Sequence, residues 1–227
     1  MALDLFERIT GYTQHEKIER RSLMKKVMSI LLALLTVLTV GVCASADLNY
    51  PDEIPEAIVY EGTGDSVLKI DHPEGVHVLY IKGNAESKHF AVKGYDSKGN
   101  KTELFVNTTD PYEGVTLDPD QETVSLEISS KGNWYIEIRS VWSCDVITDT
   151  KTEYTGTGDS IVLIDTDATM ATIRGNAAEK HFAMKSYGDR KNLMVNTTDA
   201  YSGTVRVKYS PYLLEVNAVG PWSITLE

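Results

Sequence analysis

The chain has 227 residues, with 22 Lys and Arg against 33 Asp and Glu, a formal charge of −11. So acidic a chain is ill suited to nucleic acid, whose phosphates demand clustered cations, and equally to an anionic lipid surface. Its two cysteines, Cys43 and Cys144, exclude a disulfide-stapled scaffold, so any core must rest on apolar burial.

Near the start, Met24-Lys25-Lys26 leads into an apolar run, Val27 to Val42, and then Ala44-Ser45-Ala46. A basic start, a short apolar stretch and an Ala-x-Ala end make a secretory signal peptide, predicted at 24–46 with cleavage before Asp47. The run is shorter than the roughly 20 residues of a spanning helix, so the processed chain is expected to hold no stable membrane span. Residues 1–23 stand in front of the basic start, where no signal peptide needs them, and read as an upstream extension before a true start at Met24. Cys43 could serve a lipoprotein signal, but Val42 stands where Gly or Ala is wanted, so ordinary cleavage is the reading adopted. Residues 1–46 carry six basic and four acidic residues; without them 16 basic and 29 acidic residues remain, a charge of −13. Cys144 then has no partner within the chain.

From Gly62 onward the chain repeats itself. Gly62-Thr63-Gly64-Asp65-Ser66 returns as Gly156-Thr157-Gly158-Asp159-Ser160, and Lys88-His89-Phe90-Ala91 as Lys180-His181-Phe182-Ala183. Asn107-Thr108-Thr109-Asp110 with Tyr112 and Gly114 returns as Asn196-Thr197-Thr198-Asp199 with Tyr201 and Gly203, and Trp134 returns as Trp222. A spacing of about 90 residues is that of a small domain, not of a solenoid unit.

Alternation of apolar and polar residues predicts strands near 57–61, 66–71, 77–82, 88–95, 101–107, 113–117, 123–128 and 133–139 in the first copy. Trp134, Ile136 and Ile138 share one face of the last, as Trp222, Ile224 and Leu226 do in the second copy. Thr-Gly-Asp-Ser, Gly-Asn and Asp-Ser-Lys-Gly-Asn supply the turns between strands. The expected fold is all-β: two tandem antiparallel β-sandwiches, jelly-roll-like, of about eight strands each. They are placed at 47–139 and 152–227, with a connector at 140–151 whose Trp142 and Cys144 suit packing against a module.

Gly64-Asp65, the Tyr112-x-Gly114 turn and the closing Gly132-x-Trp134-x-Ile136 strand, with their second-copy equivalents, carry a resemblance. The chain resembles the jelly-roll-like modules of secreted bacterial proteins, such as pre-peptidase C-terminal and carbohydrate-binding modules. The resemblance implies a non-catalytic module that binds sugars, proteins or calcium, or acts as a spacer.

Among candidate site residues, Asp65, Asp110, Asp159 and Asp199 are turn carboxylates kept in both copies, the kind of oxygen ligand calcium takes; Asx capping is their plainer use. Calcium is the one cofactor considered, with Asp65 expected near Asp110 and Asp159 near Asp199. Tyr112 and Tyr201, at turns, are the candidate ligand-binding aromatics, whereas Trp134 and Trp222 run in phase with core residues and should be buried. His89 and His181 recur singly beside a lysine, which suits a sheet-surface histidine better than a zinc ligand. No Gly-x-Ser-x-Gly elbow surrounds Ser66 or Ser160, and no catalytic residue is nominated. The expected role is an exported, non-catalytic protein that binds a glycan or a protein outside the cell. A structural envelope spacer and a small hydrolase are the alternatives.

Overall fold

The computed structural model describes residues 50–227. The signal peptide, the start at Met24 and Cys43 lie outside the described residues.

The first module contains β1 (Ile58–Thr63), β2 (Ser66–Lys69), β3 (His77–Gly83), β4 (Phe90–Tyr95), β5 (Lys101–Thr108), β6 (Tyr112–Leu117), β7 (Ser125–Ser129) and β8 (Asn133–Ser140). Antiparallel pairing is nested: β4 with β5, β3 with β6, β2 with β7, β1 with β8. One long hairpin has thus been rolled over, and it closes into sheet I, ordered β1-β8-β3-β6, and sheet II, ordered β2-β7-β4-β5. Two packed four-stranded sheets wound in this way are a jelly roll. Between them lies a core that includes Leu79, Ile81, Phe90, Val92, Leu126, Ile128, Ile136 and Ile138, with Trp134 at its end. The alternating residues predicted to face inward do so because period-2 strands bury one face each.

The second module repeats the winding with β10 (Glu153–Thr157), β11 (Ser160–Asp165), β12 (Met170–Gly175), β13 (Phe182–Tyr187), β14 (Asn192–Thr197), β15 (Tyr201–Arg206), β16 (Leu213–Asn217) and β17 (Pro221–Leu226). Sheet III is ordered β10-β17-β12-β15. Sheet IV, β14-β13-β16-β11-β9, gains a fifth strand from the connector, β9 (Val146–Thr148), which pairs with β11 in parallel. That parallel edge departs from the expected antiparallel scheme. It arises because the chain leaves β8 through a 3-10 turn at Val141–Ser143 and runs beside β11 before β10 begins. Val141 and Ile147 of this segment are buried, so it is part of the cores rather than a tether.

The two sandwiches are stacked face to face. On β11, Val162 and Ile164 point into the second module's own core, while Ile161 and Leu163 point out and are equally buried. They meet Val78 and Leu117 from the outer face of sheet I, together with Val76, Val141, Tyr187, Tyr212 and Leu213. The described residues therefore build three apolar cores in the layer order II, I, IV, III, the middle core belonging to both modules. Apolar burial on that scale is what turns two small domains into one block. Among the described residues no helix is long and apolar enough to cross a membrane.

Several strand ends differ from the pattern read in the sequence: β2 stops at Lys69 rather than near residue 71, and β7 opens at Ser125 rather than near residue 123. β4 opens at Phe90 rather than near residue 88, which leaves His89 exposed in the preceding loop instead of on the sheet; His181 takes the same place before β13.

Candidate functional clefts

The repeated Gly-Thr-Gly-Asp-Ser segment is accounted for by structure. Gly62 lies against the indole ring of Trp134, and a Cβ there would fall inside the ring's contact distance; Gly156 and Trp222 repeat the arrangement. Gly64 and Gly158 turn the chain at φ of 76° and 72°. Their carbonyls accept the indole N–H of Trp134 and Trp222 at 3.0 and 3.1 Å. Asp65 Oδ1 accepts the N–H of Ser130, and Asp159 Oδ1 that of Ala218, both at 2.9 Å. Trp134 and Trp222 are buried, as their phase predicts.

Asp110 and Asp199 sit on exposed turns held by a residue whose importance sequence reasoning missed. Asn84, at φ 61°, donates its side-chain amide to the Asp110 carbonyl at 2.8 Å and accepts the Lys88 N–H at 2.7 Å. Asn176 does the same for Asp199 and Lys180, at 2.9 Å in each case. Recurrence of Gly-Asn-Ala at 83–85 and 175–177 is the signal that could have found it. Among the described residues no three His, Cys, Asp or Glu side chains gather in the manner of a metal site. Across the module boundary, Asp110 and Asp159 line one cleft of about 530 Å³ between β5 and β6 on one side and β13 and β16 on the other.

Tyr112 reaches into that cleft and donates its hydroxyl to Asp159 Oδ2 at 2.7 Å. Burial pushes both groups upward in pKa; for Asp159 the Tyr112 and Ala218 hydrogen bonds and the charge of His181 pull the other way. Beside them the backbone N–H of Val115 donates to the Asp159 carbonyl at 2.8 Å. Gly114 makes this approach possible, since a Cβ there would lie 2.9 Å from the Tyr112 hydroxyl and 3.0 Å from Asp159 Cβ. Lys185 and Tyr187 both hold Glu215 on the same side of the interface, the lysine at 2.8 Å. Lys93, Tyr95 and Glu127 form the same triad on the exposed face of the first module.

A second kind of cleft occurs once in each module. In the first it has a volume of about 430 Å³ and is lined by Tyr112, Trp134, Tyr135, Lys82, Glu61 and Glu113. In the second it measures about 810 Å³, and Tyr201, Trp222, Ser223, Arg174 and Thr155 take the matching positions. The two candidate tyrosines thus flank equivalent hollows, each with the edge of a buried indole and one cation. Tyr201 differs from Tyr112 in that no second module stands against it among the described residues.

Cys144, in the connector, is a partly buried free thiol whose pKa burial pushes up to about 12, which favours the protonated form. No protein-family model and no curated protein matches the chain.

Proposed function

We propose that this is an exported, non-catalytic binding protein that holds an extracellular glycan at equivalent clefts on its two modules. The observation that carries the reading is the recurrence of one hollow, walled by a tyrosine, an indole edge and a cation, at the same place in both jelly rolls. Open clefts of this kind, apolar on one wall and polar on the other, suit a sugar ring, which presents C–H faces and hydroxyls together. The signal-peptide pattern and the resemblance to modules of secreted bacterial proteins support export and a binding role. Two clefts on a rigid block allow one polymer to engage both, which raises avidity without new contacts.

A protein ligand is the second reading, favoured by the cleft between the modules, where exposed Leu104 and Val219 offer apolar contact beside Asp110 and Asp159. A glycan array and a pull-down from extracellular material, both with the purified protein, decide between them. Glycan binding is expected to fall when Tyr201→Ala or Tyr112→Ala is introduced, and more than additively for a polymeric ligand when both are. Retention of one defined protein with no glycan signal would favour the second reading; silence in both would leave the molecule a spacer.

A further inference from the structure

The two equivalent clefts have opposite electrostatics. In the first, Lys82 is neutralised by Glu113 at 3.0 Å, and Glu113 also accepts the Tyr80 hydroxyl at 2.7 Å. Glu61 adds a further carboxylate to the same wall. In the second, Thr155 stands where Glu61 does, Ser202 where Glu113 does and Ser223 where Tyr135 does. Arg174 replaces Lys82 between Ser223 and Ser202 in register, and no carboxylate among the described residues lines this larger cleft. Arg174 is exposed and forms no ion pair among the described residues. An unneutralised guanidinium among hydroxyls is unusual on a chain of charge −11.

From this we infer that the cleft of the second module takes a carboxylate-bearing saccharide, such as a uronic-acid oligosaccharide, and that the first module's cleft does not. The inference rests on the glycan reading above and adds the charge of the sugar unit that the second cleft takes, which leaves the first cleft to uncharged units of the same polymer. Arg174 presents paired N–H donors in the planar fork that matches a carboxylate. Thr155, Thr157 and Ser223 offer hydroxyls to sugar hydroxyls, and Pro221 with the Trp222 edge offers an apolar floor for the ring. In the first module the same ligand would meet Glu61 and Glu113, whose like charge repels it.

The test is titration calorimetry with three probes of equal length: a uronic-acid oligosaccharide, a neutral oligosaccharide and a sulfated one. The uronic-acid probe is expected to bind with one site per chain and to weaken as salt rises. Arg174→Gln should weaken it about ten- to a hundredfold, and Arg174→Lys by less, since lysine keeps the charge and loses the fork. Thr155→Glu with Ser202→Glu installs the carboxylates that the first module already tolerates at these positions, so the fold should persist, checked by melting, while binding is lost. Lys98→Gln, in the exposed loop between β4 and β5 and away from each cleft described, should change nothing. Equal binding of neutral and uronic-acid probes, with Arg174→Gln silent, would overturn the inference and leave the glycan reading standing. Preference for the sulfated probe, or binding of an acidic peptide in place of any sugar, would overturn it as well, and binding of no glycan at all would remove both.

Discussion

Tyr112 and Asp159, 47 residues apart in sequence and in different modules, share a hydrogen bond of 2.7 Å beside the middle core. The same two residue types recur as Asp65 and Tyr201 on the outward ends of the block. An identical motif therefore joins two modules at one place and faces outward at two others.

Tyr112→Phe removes a donor from a largely buried carboxylate and should cost about 1–3 kcal/mol, a fall of several degrees in Tm. Tyr201→Phe, whose hydroxyl lies over Gly203 with no module against it, should stay within about 0.5 kcal/mol of the parent. Thermal melts of the two variants make the comparison. Equal effects would show that the bridge adds nothing to stability.

The raised pKa of Asp159 has a signed consequence. Burial lifts its folded value above the unfolded one, so its contribution to stability is full below the ordinary carboxylate range, near 4, and is lost as pH rises through the folded value. Asp159→Asn cannot titrate. The difference in Tm, variant minus parent, should therefore grow as pH climbs from about 4 toward neutrality. Glu113 and Glu127, whose pKa values are lowered by their tyrosine and lysine partners, are common to both proteins and cancel in that difference. Parallel melting curves across this range would contradict the assignment.

Gly62→Ala and Gly156→Ala press a methyl into the edge of an indole whose adjoining N–H is held by a carbonyl. Overpacking of this sort should cost about 1–3 kcal/mol at each site. A matching change in tryptophan fluorescence should report the displaced ring. A silent Gly62→Ala melt would mean that Trp134 has room to slide.

Calcium should leave the melt unchanged. Asp65 gives one carboxylate oxygen to the N–H of Ser130, Asp159 gives both to the Ala218 N–H and the Tyr112 hydroxyl, and among the described residues no three His, Cys, Asp or Glu side chains gather around Asp110 or Asp199. A ligand at one hundred times its Kd would add about 2.7 kcal/mol. A rise of several degrees over a chelator control would restore the metal reading.

The strands, their faces and the burial of both tryptophans were legible in the sequence, because period-2 alternation and turn residues are local signals. What the repeat concealed was how the copies meet. Val67 and Ile161 are near equivalents, but Lys69 gives way to Leu163, and the unbroken apolar run from Ile161 to Ile164 is the one local sign that this strand is covered on both faces while its counterpart is bare on one. The candidate tyrosines stand out because they recur. Arg174 does not, because its meaning lies in what is absent around it, namely the counterparts of Glu61 and Glu113. Asn84 reads as a turn former and is also a clamp, since its side chain bonds a residue 26 positions away.

A contact between unlike faces of two similar modules has no built-in stopping point. Sheet II displays the counterpart of the buried face of sheet IV, and sheet III that of sheet I, so a second molecule could in principle add at either end, and filaments grow from such open contacts. Two substitutions oppose this: Lys69 stands where Leu163 lies in the middle core, and Arg206 where Leu117 does. Stacking one molecule on another would bring these cations together without an apolar partner. The parent should sediment as a monomer, and Lys69→Leu with Arg206→Leu should produce a concentration-dependent ladder. Adding Val67→Glu to one sample of that variant and Thr204→Pro to another should block one end in each, so that only their mixture forms dimers. On this reading Lys69 and Arg206 are terminators, the two charged side chains expected to hold a repeat short of a fibre.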